Sequence, residues 1–182
     1  MNVIAFVGMP GSGKSVAGNY FKEKGFYLLY FGQLVLDEVK RRGLDINPTN
    51  EKMVREDIRK IHGMAACAHL SVPIIKQILS NNQKICIDGL YSFSEYKLLK
   101  ELLGDTLSVV AISCEKKTRY QRLAQRQIRP LTPKEAEQRD IAEIENLEKG
   151  GPIAIADFTL LNDGSKNDLL TKLAQLERKI FG

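Results

Sequence analysis

Residues 8–15 constrain the fold more than any other part of the chain. They read Gly-Met-Pro-Gly-Ser-Gly-Lys-Ser, which is the spacing Gly-x-x-x-x-Gly-Lys-Ser. The preceding residues, Val3–Val7, are all apolar, as in a strand buried on both faces of a parallel sheet. The residues from Lys14 to about Glu23 fit a helix that ends at Gly25. A glycine-rich turn between a strand and a helix points backbone N–H groups at a phosphate, so this segment predicts a phosphate-binding loop.

Each part of the loop has its own predicted role. Lys14 would place a positive charge against the β- and γ-phosphates of a nucleotide, and the Ser15 hydroxyl would join the ligands of a magnesium ion. We therefore expect ATP and Mg²⁺ as cofactors. The alternative, a flexible Gly-Ser turn before a lysine, does not account for the flanking strand and helix. The residues expected to bind the nucleotide here are Gly8, Pro10, Gly11, Ser12, Gly13, Lys14 and Ser15.

The order of apolar segments predicts the fold class. Strands are expected over 3–7, 26–30, 84–88, 107–113 and 158–161, and helices separate them. This alternation predicts an α/β fold of three layers, with a five-stranded parallel sheet and right-handed crossovers. The helices are expected over 14–23, 33–42, 51–62, 64–81 (interrupted near Pro73), 94–103, 115–127, 134–149 and 165–181. Residues 45–50 are expected to form a turn, and 129–133 an extended break.

Asp88 ends the third predicted strand, in the run Lys84-Ile-Cys-Ile-Asp88-Gly89. Ligands of open α/β sheets bind at the carboxyl ends of the strands, so this carboxylate is a candidate magnesium ligand through water, or a candidate proton acceptor. The alternative is an ordinary turn acid, because Asp-Gly is a common turn pair.

Two groups of arginines are candidates for binding anions. Arg119, Arg122, Arg126 and Arg129 are three, four and three residues apart, which predicts one helical face of a single sign of charge. A transferring phosphoryl group would supply the missing negative charge, whereas a plain basic surface is the alternative. Arg55 and Arg59 also share a helical face and are candidates for binding the phosphate of an acceptor.

The rest of the composition excludes several other classes. The net charge of +5 and the basic stretch after residue 115 suit a phosphate-rich ligand, with nucleic acid as a less favoured partner. His62, Cys67 and His69 lack a fourth ligand at zinc-like spacing. The three cysteines, of which Cys86 and Cys114 belong to apolar runs typical of strands, are expected to be reduced. The sequence begins without a signal peptide and carries no membrane span, so we expect a cytoplasmic protein.

The chain resembles the nucleoside-monophosphate-kinase-like branch of P-loop proteins, and most of all the adenylate-kinase-related and dephospho-CoA-kinase-like proteins. Beyond the loop, the similar segments are Ile87-Asp88-Gly89, Arg119-Tyr120-x-Arg122-Leu123 with Arg126 and Arg129, Arg139-Asp140, and Ala156-Asp157-Phe158-x-Leu160-x-Asn162-Asp163-Gly164. The resemblance implies one kinase-like domain over 1–182, with an acceptor-binding helical insert at about 33–82 and a short lid at about 126–136. It also implies that Asn162 and Gly164 lie near the adenine, and that Asp37 is on the acceptor side.

The resemblance implies a kinase that transfers the γ-phosphate of ATP to a nucleotide-like acceptor, a nucleoside monophosphate or a dephospho-CoA-like molecule. Lys14, Asp88, Arg122, Arg126 and Arg129 are then the expected catalytic residues, and Ser15 and Asp88 the metal-binding ones. An alternative is a regulatory P-loop module that binds or slowly hydrolyses ATP without a small-molecule acceptor. Adenylate kinases follow Asp-Gly with an aromatic residue, proline and arginine, whereas Leu90-Tyr91-Ser92 stands here, which favours the alternative somewhat.

Overall fold

A parallel five-stranded sheet runs through the middle of the protein. The computed structural model describes residues 2–182. The strands are β1 (Val3–Val7), β2 (Tyr27–Tyr30), β3 (Ile85–Asp88), β4 (Leu107–Ser113) and β5 (Phe158–Leu161), in the order β2-β3-β1-β4-β5. All four neighbouring pairs are parallel. The predicted five-stranded parallel sheet is therefore confirmed.

Helices cover both faces of this sheet. They are α1 (Lys14–Glu23), α2 (Phe31–Arg41), α3 (Pro48–His62), α4 (Ala66–Ser80), α5 (Phe93–Leu103), α6 (Lys116–Ala124), α7 (Pro133–Leu147), α8 (Gly150–Ala154) and α9 (Lys166–Phe181), with a single 3-10 turn at Gly104–Thr106. In β1, Val3, Ala5 and Val7 pack into one apolar cluster, whereas Ile4 and Phe6 pack into another. Alternate residues thus face opposite helical layers, which explains why the whole strand is apolar. Among residues 2–182, no helix combines the length and apolarity needed to cross a bilayer.

Helices α2, α3 and α4 come between β2 and β3 in the chain, where the insert is expected. They pack around a small apolar cluster of their own. The turn predicted over 45–50 is wrong in its second half, because α3 already begins at Pro48. The Asn47 side chain accepts a hydrogen bond from the N–H of Asn50, and proline occupies the first helical position. Both features are favourable helix starts.

The predicted interruption of α4 near Pro73 is also wrong. Pro73 lies inside an unbroken helix, on its exposed side, while Ser71 and Ile75 are buried. Proline removes the hydrogen bond to the carbonyl four residues earlier, that of His69, which is likewise on the exposed side. Water can satisfy that carbonyl, so packing of the opposite face keeps the helix intact.

The predicted single face of four arginines does not form. Helix α6 ends at Ala124, so Arg126 and Arg129 lie beyond it, and Arg129 has a left-handed backbone with φ of 54°. Arg119 is buried and already has a counter-charge, because its guanidinium donates two hydrogen bonds to Asp140 of α7 at 3.0 and 2.6 Å. The sequence spacing was a poor guide because α7 supplies the missing anion from elsewhere in the chain.

Arg119 also donates a hydrogen bond to the carbonyl oxygen of Pro10 at 3.0 Å. One guanidinium therefore joins α6 and α7 to the loop that follows β1. Breaking a buried ion pair by removing one partner leaves an uncompensated charge inside the protein, which is far more costly than losing a surface pair.

We predict that Arg119→Met lowers the free energy of unfolding by about 3–5 kcal/mol. Lys116→Met is the matched control, because Lys116 pairs with Glu137 and joins the same two helices at the surface. It should cost less than about 1 kcal/mol. Urea unfolding of both variants measures the difference, and equal losses would contradict the interpretation.

Candidate active site

The glycine-rich loop leaves β1 at the carboxyl edge of the sheet, and Lys14 is the first residue of α1. Gly8 and Gly13 have positive φ angles of 149° and 107°. A Cβ at Gly8 would lie 2.5 Å from the carbonyl oxygen of Ile112, and one at Gly13 would lie 2.4 Å from the Asn162 amide nitrogen. Both positions therefore require glycine for conformation and for space. The predicted arrangement of strand, loop and helix is present.

Side chains from distant parts of the chain hold the loop in place. The Asn162 amide, buried after β5, donates a hydrogen bond to the carbonyl of Ser12 at 2.7 Å. Arg122 in turn donates to the carbonyls of Asn162 at 2.8 Å and Gly164 at 2.9 Å. Asn162 and Gly164 were expected beside the adenine. In the structure, this segment supports the back of the loop and does not line the cleft in front of it.

A cleft of about 810 Å³ opens in front of the loop, and we call it the loop cleft. Of the predicted nucleotide-binding residues, Pro10, Gly11, Gly13, Lys14 and Ser15 line it. Two carboxylates, of Asp88 and Glu143, face a larger number of cations. The cations that line this cleft are Lys14, Arg122, Arg126, Arg139 and Lys149. This surplus of positive charge suits a polyphosphate.

Lys14 lies across its own loop. Its ammonium group donates hydrogen bonds to the carbonyls of Gly8 at 2.6 Å and Met9 at 3.2 Å. Burial, and after it the positive charge of Lys149, lower the pKa of Lys14 to about 7, although Glu143 and Asp88 act in the opposite direction. A phosphate in the cleft would favour the charged lysine and raise this pKa again.

Asp88 is buried at the end of β3, in register with Phe6 of β1 and Tyr30 of β2. Burial raises the pKa of its carboxyl group, while Lys14 and Lys149 oppose that effect. Within residues 2–182 the carboxylate makes no hydrogen bond or ion pair, so it is available to a ligand.

The residues around the loop fit a magnesium ion that is bound together with a nucleotide. Magnesium is usually held by one or two carboxylates, its own waters and the phosphates of the substrate. Asp88 and the exposed hydroxyl of Ser15 both line the loop cleft and match that donor set. Among the described residues, no cluster of three or more acidic, histidine or cysteine side chains could hold a metal alone.

Three charged residues of the loop cleft were missed by sequence reasoning, namely Arg139, Glu143 and Lys149. The Glu143 carboxylate accepts a hydrogen bond from Arg139 at 3.1 Å and pairs with the ammonium of Lys149. A signal was present in the pattern of α7. Its buried positions are Ala136, Asp140 and Glu143, so two acids occupy the stripe that an ordinary amphipathic helix fills with apolar residues.

A second cleft of about 940 Å³, which we call the insert cleft, lies between α2, α3 and α7. The predicted acceptor residues Arg55 and Arg59 line it, together with apolar side chains such as Phe31 and Val35. Asp37 does not line either cleft. It is exposed on α2 and accepts a hydrogen bond from the Gln33 side chain at 2.8 Å.

The predicted catalytic arginines separate between the two clefts. Arg122 and Arg126 line the loop cleft, whereas Arg129 lines the insert cleft and pairs with Glu51 of α3 at 2.9 Å. Among these three, Arg126 is the one that makes no hydrogen bond or ion pair within residues 2–182. The prediction of one continuous arginine surface is therefore wrong.

The two clefts are contiguous, because four side chains line both of them. These are Tyr30, Tyr91, Arg139 and Glu143. A ligand bound at the loop and a second ligand in the insert cleft would meet at this junction. Tyr91 belongs to the Leu90-Tyr91-Ser92 segment, in which Leu90 is buried and Ser92 caps α5.

Among the described residues, the cysteines belong to no cluster that could hold a metal ion. Cys67 and Cys86 are buried, Cys114 is half-buried, and all three are free thiols. Burial raises the pKa of Cys67 to about 12, so this thiol, which borders the insert cleft, stays protonated at neutral pH.

A family model described as AAA domain matches residues 4–155 of the chain. The chain belongs to the AAA domain family. Two curated relatives extend the match over nearly its whole length. A UPF0200/UPF0201 protein of Archaeoglobus fulgidus is 33% identical over 99% of this chain, which spans 56% of that protein's length. A UPF0200 protein of Thermococcus gammatolerans is also 33% identical, over 98% of this chain and 95% of its own.

Solved structures share the fold of this AAA domain protein at low sequence identity. TT1252 from Thermus thermophilus has a TM-score of 0.68 at 19% identity and covers 100% of this chain and 98% of its own. A shikimate kinase from Bacteroides thetaiotaomicron has 0.62 at 13%, covering 98% of each chain. A dephospho-CoA kinase from Campylobacter jejuni has 0.56 at 16%, covering 98% of this chain and 97% of its own. The family match confirms the predicted P-loop family, and these likenesses confirm its α/β fold.

We predict that ATP·Mg binds with proton uptake at alkaline pH. Lys14 has a pKa of about 7 in the presence of Lys149, Glu143, Asp88 and Arg139, and bound phosphate raises it. The affinity for ATP·Mg should therefore be highest below pH 7 and should fall above it, by up to roughly tenfold per pH unit. Calorimetry in buffers of different ionisation enthalpy should find about one proton taken up at pH 8.5 and close to none at pH 6.

Lys14→Arg serves as the control, because arginine stays charged throughout this range. Its proton uptake at pH 8.5 should be lost. The same uptake in this variant as in the unchanged protein would assign the proton to another group.

Proposed function

We propose that this protein is an ATP-dependent kinase that transfers the γ-phosphate to a small, nucleotide-like acceptor bound in the insert cleft. The observation that carries the proposal is the junction between the two clefts. A phosphate loop lines one cleft, cations of the helical insert line the other, and Tyr30, Tyr91, Arg139 and Glu143 line both. Direct transfer between two bound molecules needs such a shared wall, because the reacting groups must be held in line and in contact.

In this proposal the loop and α1 hold the phosphates of ATP. Backbone N–H groups and the helix N-terminus bind the inner phosphates, and Lys14 reaches the outer ones. Ser15 and Asp88 would hold Mg²⁺, which would supply positive charge to neutralise the phosphates. Within residues 2–182 Asp88 makes no competing hydrogen bond, so it would also be able to accept a proton from the acceptor hydroxyl.

The insert cleft supports an anionic acceptor. Arg55 and Arg59 bring positive charge to it, whereas Lys52 and Arg129 already pair with Glu56 and Glu51, and the apolar residues of α2 would cover the body of the molecule. Burial lowers the pKa of Arg59, and the charge of Glu95 opposes that effect. A phosphate or carboxylate of the acceptor would compensate the positive charge of Arg59. Direct roles for Asp37 and for the 126–136 segment as a lid remain predictions.

The test of the function is a phosphotransfer screen with ATP·Mg. The acceptors are nucleoside monophosphates, deoxynucleotides, nucleosides and dephospho-CoA, and ADP release is measured with and without each one. We expect at least one acceptor to raise ADP release well above the rate with ATP alone. Asp88→Asn should retain ATP affinity within about threefold yet lose turnover by at least roughly a hundredfold.

An unchanged rate with every acceptor, combined with slow hydrolysis, would favour the alternative of a regulatory ATP-binding module. Full turnover in a folded Asp88→Asn variant would reduce Asp88 to a turn residue.

We also predict that Arg126 acts on the transition state. Its side chain lines the loop cleft and has no hydrogen-bond or ion-pair partner among the described residues, whereas Arg122 donates to two carbonyls and Arg129 pairs with Glu51. Arg126→Ala should therefore lower saturated turnover by roughly 10³-fold while changing ATP affinity little. A surface that merely steers anions would give salt-dependent binding and normal saturated turnover. Measuring both quantities at two ionic strengths, with Arg129→Ala for comparison, separates the two interpretations.

A further inference from the structure

Lys149 is a buried cation of the loop cleft to which the proposed function gives no role. It is 1% exposed and lies between the end of α7 at Leu147 and the start of α8 at Gly150. The residue before it, Glu148, ends α7 in the left-handed conformation with φ of 52°. Residues other than glycine and asparagine rarely adopt this backbone conformation, because it costs roughly 1–2 kcal/mol. The chain thus makes an unfavourable turn at the point that directs a lysine inward.

The burial of Lys149 is only partly compensated within the protein. Its ammonium group pairs with Glu143, but the same carboxylate also accepts a hydrogen bond from Arg139. Two cations therefore share this carboxylate, and the more distant Asp88 and Asp140 supply the remaining negative charge. The ammonium also lies 4.9 Å from the centroid of the Tyr91 ring, a favourable but weaker contact.

Lys149 and Lys14 line the same cleft. The charge of Lys149 is the strongest electrostatic influence on Lys14, and it also acts on Asp88. Two lysines that share a cleft repel, and an anion between them would turn that repulsion into attraction. Since Lys14 is the lysine of the phosphate loop, a phosphate is the anion expected between the two lysines.

We propose that Lys149 is a second phosphate-binding lysine, which exchanges Glu143 for an oxygen of the terminal phosphate of the nucleotide. The inference rests on the proposed binding of ATP at the loop. It makes Lys149 a catalytic residue in the strict sense, a group that contacts the transferring phosphoryl group.

The location of Lys149 selects the terminal phosphate over the inner ones. Its two contacts, Glu143 and Tyr91, line both clefts, so they mark the side of the loop cleft that faces the acceptor. The inner phosphates lie on the opposite side, against the backbone of the loop. A diphosphate bound at the loop would therefore end short of Lys149, and a triphosphate would reach it.

A purely structural role makes a different prediction. If the pair of Lys149 and Glu143 only fastens α8 to α7, its loss should lower stability and affect all nucleotides alike. The comparison between ADP and ATP therefore separates the two roles without any knowledge of the acceptor.

The experiment is calorimetric binding of ADP·Mg and ATP·Mg to Lys149→Met. We expect ATP affinity to fall roughly 10- to 100-fold, the usual effect of losing a charged hydrogen bond, and ADP affinity to change less than about twofold. Lys116→Met is the matched control, because its pair with Glu137 lies at the surface, away from both clefts. It should leave both affinities unchanged.

Lys149→Met leaves Arg139 as the remaining partner of Glu143 in the Lys149–Glu143–Arg139 group. The double variant Glu143→Gln/Lys149→Met is therefore measured beside it. The double variant removes both charges and should show the same selective loss of ATP affinity, whereas Glu143→Gln alone should keep the preference for ATP. Three results would overturn the proposal: equal losses of ADP and ATP affinity, no loss of either affinity, or unfolding of both Lys149→Met and the double variant.

Failure of the proposed function gives a different result. If the screen finds no acceptor while Lys149→Met loses ATP affinity selectively, the kinase proposal fails and the role of Lys149 stands. If the unchanged protein binds neither nucleotide, both are overturned.

Discussion

The guanidinium of Arg119 is the contact on which the geometry of the candidate site depends. It is buried where α6, α7 and the phosphate loop meet, and it donates hydrogen bonds to Asp140 and to the carbonyl of Pro10. Three of the eight loop residues are glycine and have no side chain to pack, so contacts from other parts of the chain fix the shape of the loop. Asn162 provides the same support at Ser12. Because Arg119 also anchors α7, the loop and the charged face of that helix hold a fixed relative position.

Helix α7 explains the electrostatics of the cleft. It is inverted relative to an ordinary amphipathic helix, with Asp140 and Glu143 buried and Ile141 and Ile144 about half exposed. Burying carboxylates is unfavourable unless cations accompany them, and Arg119, Arg139 and Lys149 do so. The cluster nevertheless ends with more positive than negative charge at the wall of the cleft. Such an imbalance is tolerated where a ligand of opposite charge binds.

The fold and the loop could be predicted from the sequence because their signals are local. Apolar strands, glycine spacing and the acid that ends β3 depend on neighbouring residues, and the sheet follows from the alternation of elements. The partners of Arg119 and Arg129 could not be predicted, since Asp140 and Glu51 come from other helices. The continuity of α4 through Pro73 likewise depends on which face is buried. Lys149 gave no signal at all, because its inward direction is set by the left-handed turn at Glu148.

Sheet topology explains why the site residues from separate segments converge. The chain passes from β1 to β2 on one side of the sheet, returns through β3 beside β1, and then continues to β4 on the other side. The connection that leaves β1 therefore runs toward β2, whereas the connections that leave β3 and β4 run toward β5, so a crevice opens between the carboxyl ends of β1 and β3. The phosphate loop fills this gap, with Asp88 on one flank. The residues after β4 form the other flank, and they lead into α6, which carries Arg119. The segment that leads into α2 also leaves the sheet at this carboxyl edge, after Tyr30, so both clefts open at the carboxyl ends of the strands. Tyr91 follows β3 closely in the chain, and its side chain can therefore border both clefts.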